Sequence, residues 1–187
     1  MKALIKGILF FIFVLIFYHI CDYFLGKQPV FLSNTYQQAN NIYTLKYPYD
    51  WLYTSTDKAG VIFSGPKDTP AFFTVIKIEL LTANQLGNQA VSISDLVKDY
   101  TEQLSKQGKV IDFGNLALPS DPEHIKGMYV TILYQYNGNE FKKTQYFLAR
   151  DSSQKEFYLW SYTALEKDYD LSLPTAQAMF DSWIIRY

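Results

Sequence analysis

One cysteine and two histidines in 187 residues leave little room for several kinds of chemistry. The lone Cys21 cannot build an internal disulfide framework. A zinc site wants three or four ligands, and beyond the N-terminal run the sequence supplies only His124, with no cysteine to join it. A serine nucleophile needs a base within hydrogen-bond reach, and no G-x-S-x-G elbow occurs. Glycine-rich phosphate loops are missing too: "FSGPKDTP" (63–70) has Gly65 and Lys67, but Pro66 and the lack of a following helix spoil it. Charge is sparse, at 19% of residues, and nearly balanced at a net −1. Nucleic acid normally requires a clustered basic face, so no nucleic-acid partner is expected.

What is present is aromatic. Sixteen tyrosines, fourteen phenylalanines and three tryptophans bring the aromatic share to 18%, which suits a β-rich core of wide, flat side chains. The length allows one domain with a substantial interior.

Residues 8–21 read "ILFFIFVLIFYHIC", and Gly7 to Leu25 is about the length that spans a bilayer. Lys2 and Lys6 precede it and no Lys or Arg follows until Lys27. That bias puts the N-terminus in the cytoplasm and the rest outside it. A cleaved signal needs small residues at its cleavage site, and His19 to Tyr23 supply none. A lipoprotein signal wants a small residue before the cysteine, where this chain has Ile20. The expectation is an uncleaved single-pass anchor over residues 1–25, with 7–25 in the lipid bilayer of an inner or cytoplasmic membrane. Cleavage and lipidation remain as alternatives. Residues 26–41, "GKQPVFLSNTYQQANN", read as a polar linker, and 42–187 as a globular, extracytoplasmic (periplasmic or lumenal) domain.

Within that domain "YTLKYP" alternates Tyr43, Leu45 and Tyr47 with polar residues, the period of a half-buried strand. Pro48 stops the pairing, "YPYDW" turns, and "WLYTST" and "GVIFSGP" make two more strands. "AFFTVIKIELL" (71–81) predicts a long strand with Phe72, Thr74, Ile76, Ile78 and Leu80 on one side. From Ser92 the period becomes helical, with Ile93, Leu96, Val97, Tyr100 and Leu104 on one stripe. Ser92 and Asp95 resemble a capping box, and Gly108 suits the helix end. Four strands follow, at 109–118, 125–136, 140–150 and 156–165, the middle pair joined by an Asn-Gly turn. The tail 172–187 predicts a helix with Pro174 in its first turn and an apolar stripe of Ala176, Met179, Phe180, Trp183, Ile184 and Tyr187. The fold class is α+β, an antiparallel β-sheet covered by helices.

This order resembles the PsbP/Mog1 superfamily, with its DUF1795-type and DcrB-like bacterial members. The residues that carry the resemblance are the "YP-x-x-W" element at Tyr47, Pro48 and Trp51, then "VIFSGP", "FFTVIKIELL", the Ser-led helix "SISDLVKDYTEQL", the aromatic meander, and Phe180 and Trp183 near the end. It spans about residues 41–187 and implies a binding and assembly fold. Relatives include an extrinsic photosystem II subunit, a Ran-binding factor and secretion chaperones, and partners that varied do not transfer with the fold. On this reading Trp51 packs under a sheet edge.

Candidate chemistry is thin. His124 sits with Asp121 and Glu123 in a turn that reads as solvated. Glu166, Asp168 and Asp170 in "LEKDYDLS" read as a solvated loop able to meet a hard cation or a basic partner. Tyr49, Glu166, Asp168 and Asp170 are the candidate partner contacts; no catalytic residue, metal ligand or cofactor is assigned. The sequence therefore suggests a non-catalytic accessory subunit or assembly factor of a membrane or envelope protein complex. A carrier of a small apolar ligand between sheet and helix, needing a cavity above about 300 Å³, is the alternative. A carboxylate hydrolase, needing acids converging in one cleft, is the third reading.

Overall fold

Ten strands and two helices are laid out in a computed structural model that describes residues 30–56, 60–82, 85, 92–106, 108–150 and 156–186. In chain order they are β1 (Asn34–Gln37), β2 (Tyr43–Tyr47), β3 (Leu52–Ser55), β4 (Val61–Ser64), a 3-10 turn (Pro70–Phe73), β5 (Val75–Thr82) and α1 (Ile93–Leu104). Then come β6 (Gly108–Ala117), β7 (Ile125–Tyr136), β8 (Asn139–Arg150), β9 (Glu156–Leu165), α2 (Glu166–Asp181) and β10 (Ile184–Ile185). The anchor expected over Gly7–Leu25 lies outside the described residues. Among those described, no helix is long and apolar enough to cross a membrane.

Two antiparallel sheets form, one of seven strands in the order β3-β4-β5-β9-β8-β7-β6 and one of three in the order β1-β2-β10. The α+β architecture expected from the sequence is present. The meander closes through Asn137 and Gly138, both at positive φ, as a two-residue turn requires to match the strand twist.

One face of the large sheet carries Phe63, Ile76, Ile78, Leu148 and Trp160, which pack with Met179, Phe180 and Trp183 and with Tyr43 and Leu45 of the small sheet. Trp51 is buried there as expected. The other face carries Val130, Ile132 and Phe147 under Val97 and the α1 stripe. The Ser92 hydroxyl accepts from Asp95 N–H while the Asp95 carboxylate accepts from Ser92 N–H, so the capping box is complete.

Four expectations need correcting. β1 falls within the stretch 26–41 read as a tether; Tyr36 pins it by packing edge-on to Tyr53 and Phe63. The strand 71–81 begins only at Val75, because Pro70 starts a 3-10 turn that Thr74 N–H closes on Ala71 O. The first helix stops at Leu104, and Gly108 opens β6, where a Cβ would run into the Leu133 carbonyl. The second helix begins at Glu166, not 172, so Pro174 lies inside it and the Asp170 carbonyl loses its helical donor. That helix ends at Asp181, and the β-branched pair Ile184–Ile185 pairs with β2 as a strand. Ile184 is therefore exposed; Tyr187 lies outside the described residues.

Candidate functional site

Following the register across the large sheet defines one end of the molecule. Tyr134 pairs with Phe141, Phe141 with Leu165, Thr163 with Val75, Val75 with Ser64, and Ser64 with Leu52. Exposed apolar side chains gather at this end: Leu52, Phe72, Phe73, Tyr136 and Leu171, the last beside Ser172, whose hydroxyl accepts from Thr74. Tyr49 belongs here too. It precedes β3, is 75% exposed, and its carbonyl accepts from the Asn34 amide.

Glu166 and Asp168 lie at the same end, in the first turn of α2, not in the loop the sequence suggested. The N-cap, Leu165, has no side-chain acceptor to offer, so these acids face the positive end of the helix dipole. Asp170 is one turn further on, 3.8 Å from the Lys142 ammonium. The structure thus places all four candidate contacts at one end, without bringing Tyr49 against the three acids. His124 lies at the opposite end, its Nδ1 2.7 Å from Asp121 Oδ1 on the turn between β6 and β7. Among the described residues no group of three or more His, Cys, Asp or Glu is placed to hold a metal ion.

A groove of about 480 Å³ runs between α2 and strands β6 to β8, which sequence reasoning did not locate. Its floor is one face of β8, Lys142, Thr144 and Tyr146, beside Tyr129 and Thr131 of β7. A bulge between Val110 and Asp112 turns both Ile111 and Asp112 toward it. The helix contributes Tyr169, Asp170, Leu173, Gln177 and Phe180. Tyr146 and Phe180 meet edge-to-face at 4.8 Å.

Polar groups are concentrated on the floor. Thr131 Oγ1 is 2.8 Å from Thr144 Oγ1, which is 2.6 Å from the Tyr169 hydroxyl. The Lys142 ammonium lies 4.2 Å from the centroid of the Tyr169 ring, and the Tyr129 hydroxyl donates to Asp112. Burial pushes the Tyr169 phenol above its ordinary value and the Tyr146 phenol to about 12. The one sequence signal for this site was a pair of threonines, Thr131 and Thr144, at inward positions of an otherwise aromatic meander.

No protein-family model matches the sequence, and no curated protein matches it. Solved structures do match. LpqN of Mycobacterium tuberculosis, involved in cell envelope biogenesis, aligns over 86% of this chain and 87% of its own at a TM-score of 0.57 and 13% identity. Cyanobacterial PsbP (CyanoP) of Synechocystis sp. PCC 6803 aligns over 86% and 96% at 0.53 and 9% identity. The Ran-binding protein Mog1p of Saccharomyces cerevisiae aligns over 83% and 96% at 0.52 and 8% identity. The chain spans half the length of a further match from Bacteroides thetaiotaomicron. The fold is therefore PsbP/Mog1-like, and at these identities the likeness speaks for the fold alone.

Proposed function

We propose that this chain, with its PsbP/Mog1-like fold, is a non-catalytic interaction module that docks a membrane or envelope protein complex as an accessory subunit or assembly factor. Residues 7–25 would hold it at the membrane as a single-pass anchor, with the folded part extracytoplasmic. The observation that carries the reading is the end of the sheet where Leu52, Phe72, Phe73 and Leu171 are exposed. Apolar side chains with charged neighbours match the makeup of a protein interface, an apolar centre with a polar rim. Here Glu166 and Asp168 supply that rim, which favours a partner with a basic border. Mog1p, a Ran-binding protein, and LpqN, involved in envelope biogenesis, lend the fold a precedent for protein and envelope roles.

The test is crosslinking in intact membranes with the full, C-terminally tagged chain, followed by mass spectrometry of what co-purifies. A fixed set of membrane proteins should accompany the wild type and be lost from the triple variant Phe72→Ser, Phe73→Ser, Leu171→Ser. That variant should stay folded, with a loss of about 1–3 kcal/mol because Phe72 and Phe73 are only 41% and 47% exposed, and circular dichroism checks this. Recovery of the same set with the variant, or of the wild type alone, would sink the reading. Deleting residues 1–28 tests the anchor separately: unchanged membrane association would remove it.

A second reading, binding of a small ligand between sheet and helix, is favoured by the groove beside Tyr169, whose volume exceeds the roughly 300 Å³ such a site needs.

A further inference from the structure

The groove floor holds one proton too many. Thr131, Thr144 and Tyr169 bring three hydroxyl protons, and the two bonds that link them use two. However the protons are ordered, one has no acceptor among the described residues. All three side chains are more than nine-tenths buried, and all three line the groove. A buried donor left without an acceptor costs free energy until something accepts from it. The walls above the floor are apolar and aromatic: Leu116, Tyr146, Leu173 and Phe180.

The charges narrow the occupant further. Two carboxylates, Asp112 and Asp170, border the groove against a single ammonium, Lys142. Asp170 is 3.8 Å from that ammonium, so Lys142 already has a partner. An anion entering here would lose its hydration and meet a net negative rim. A neutral molecule has no such charge to bring in.

Resting on the ligand-binding reading of this groove, we infer that it takes a neutral, mainly apolar molecule carrying a carbonyl, ester or ether oxygen. That oxygen accepts the spare proton of the Thr131–Thr144–Tyr169 chain, and the apolar body lies against Tyr146, Leu173 and Phe180. Nothing in this requires bond making or breaking; the site binds and releases.

Benzophenone is the probe of choice, because it is neutral and aromatic, carries one carbonyl, and crosslinks to neighbouring C–H groups on irradiation. The full chain is irradiated with benzophenone or with its 4-carboxylate, and peptide mass spectrometry maps the adducts. Site mapping separates groove labelling from probe dissolved in detergent. Benzophenone should label segments 111–117, 142–146 and 169–180, and the carboxylate should label them about tenfold less. Thr131→Val, Thr144→Val and Tyr169→Phe together remove every hydroxyl of the chain and should lower labelling about tenfold. Leu173→Trp, on the groove wall, should fill the space and bring labelling to background even if the hydroxyl replacements perturb the core. Equal labelling by the two probes would overturn the ligand class while leaving the groove as a binding site. Absence of groove labelling by either probe would mean that the groove holds only water, and would overturn the ligand-binding reading itself.

Discussion

Strands β6, β7 and β8 are covered differently on their two sides. On one side α1 lies directly on them, and Val97 and Tyr100 reach down to Val130, Ile132 and Phe147. On the other side α2 and the small sheet converge on β4, β5 and β9, where Trp160, Phe180 and Trp183 are buried in one aromatic cluster. That second side has the larger core and yet also has the opening. α2 packs on β8 and β9, and between it and β6 and β7 the groove remains. Stability and vacancy thus share a face, and the helix-covered side gives the groove floor its rigid backing.

Removing the centre of the aromatic cluster should show which side dominates. Trp183 is fully buried, and its Nε1 has no hydrogen-bond partner among the described residues. Its ring area therefore outweighs an orphaned N–H. Trp183→Ala should cost about 3–5 kcal/mol in chemical denaturation, a large part of the roughly 5–15 kcal/mol that holds an ordinary domain together. A loss below about 1 kcal/mol would mean that the comparison is inverted.

On the α1 side, Val97→Ala removes two methyl groups from a smaller cluster. The expected loss is about 1.5 kcal/mol by the same measurement. If it equalled the Trp183 effect, the two sides would be equally important to the fold.

Ser92→Ala strips the α1 capping box and should cost about 1 kcal/mol. Ser92 also sets a pH dependence. Its hydrogen bonds hold the Asp95 carboxyl below the ordinary value, so the bound proton is disfavoured in the folded state. The stabilisation is present above the ordinary carboxylate value and is lost as pH falls through the lower, folded one. The protection of α1 amides against hydrogen exchange, taken relative to the free-peptide rate at each pH, should fall over that acid window in the wild type and show a smaller step in Ser92→Ala.

The smallest effect is spectroscopic. Burial raises the phenols of Tyr43, Tyr100 and Tyr162 well above 10, and that of Tyr146, beside the groove, to about 12. Stability should decline as pH rises past 10, because only the unfolded chain can then ionise these groups. By phenolate absorbance the step that Tyr146→Phe removes should lie near 12; a step at the ordinary phenol value would argue that this ring is open to water.

The sequence was a good guide to elements and a poor guide to the site. Alternation in 43–47 and the stripe from Ile93 to Leu104 follow from periods of two and 3.6, which local burial enforces. Boundaries went wrong where tertiary partners decide them. Ile184 and Ile185 fit a helical stripe until β2 offers them a pairing edge. Pro174 looks like a first-turn proline until the packing of Tyr169 and Ala176 extends the helix before it. The groove was illegible because Asp112, Thr144 and Tyr169 are far apart in the chain and meet only through the register of β6, β7 and β8 and the packing of α2 against them. Tyr49, Glu166, Asp168 and Asp170 were readable as surface residues, but their common end of the sheet was not.

The small sheet has a consequence for how the chain matures. β2 is flanked by β1, a few residues before it, and by β10, about 140 residues after it, and Arg186 N–H donates to the Ile42 carbonyl. Ser182 Oγ accepts from Lys46 N–H across the same interval. β2 therefore stays half-paired until residues 182–186 have been made. The arrival of that segment, not the emergence of any earlier one, completes the small sheet, and a nascent chain still lacking it presents the open edge of β2 to whatever escorts it.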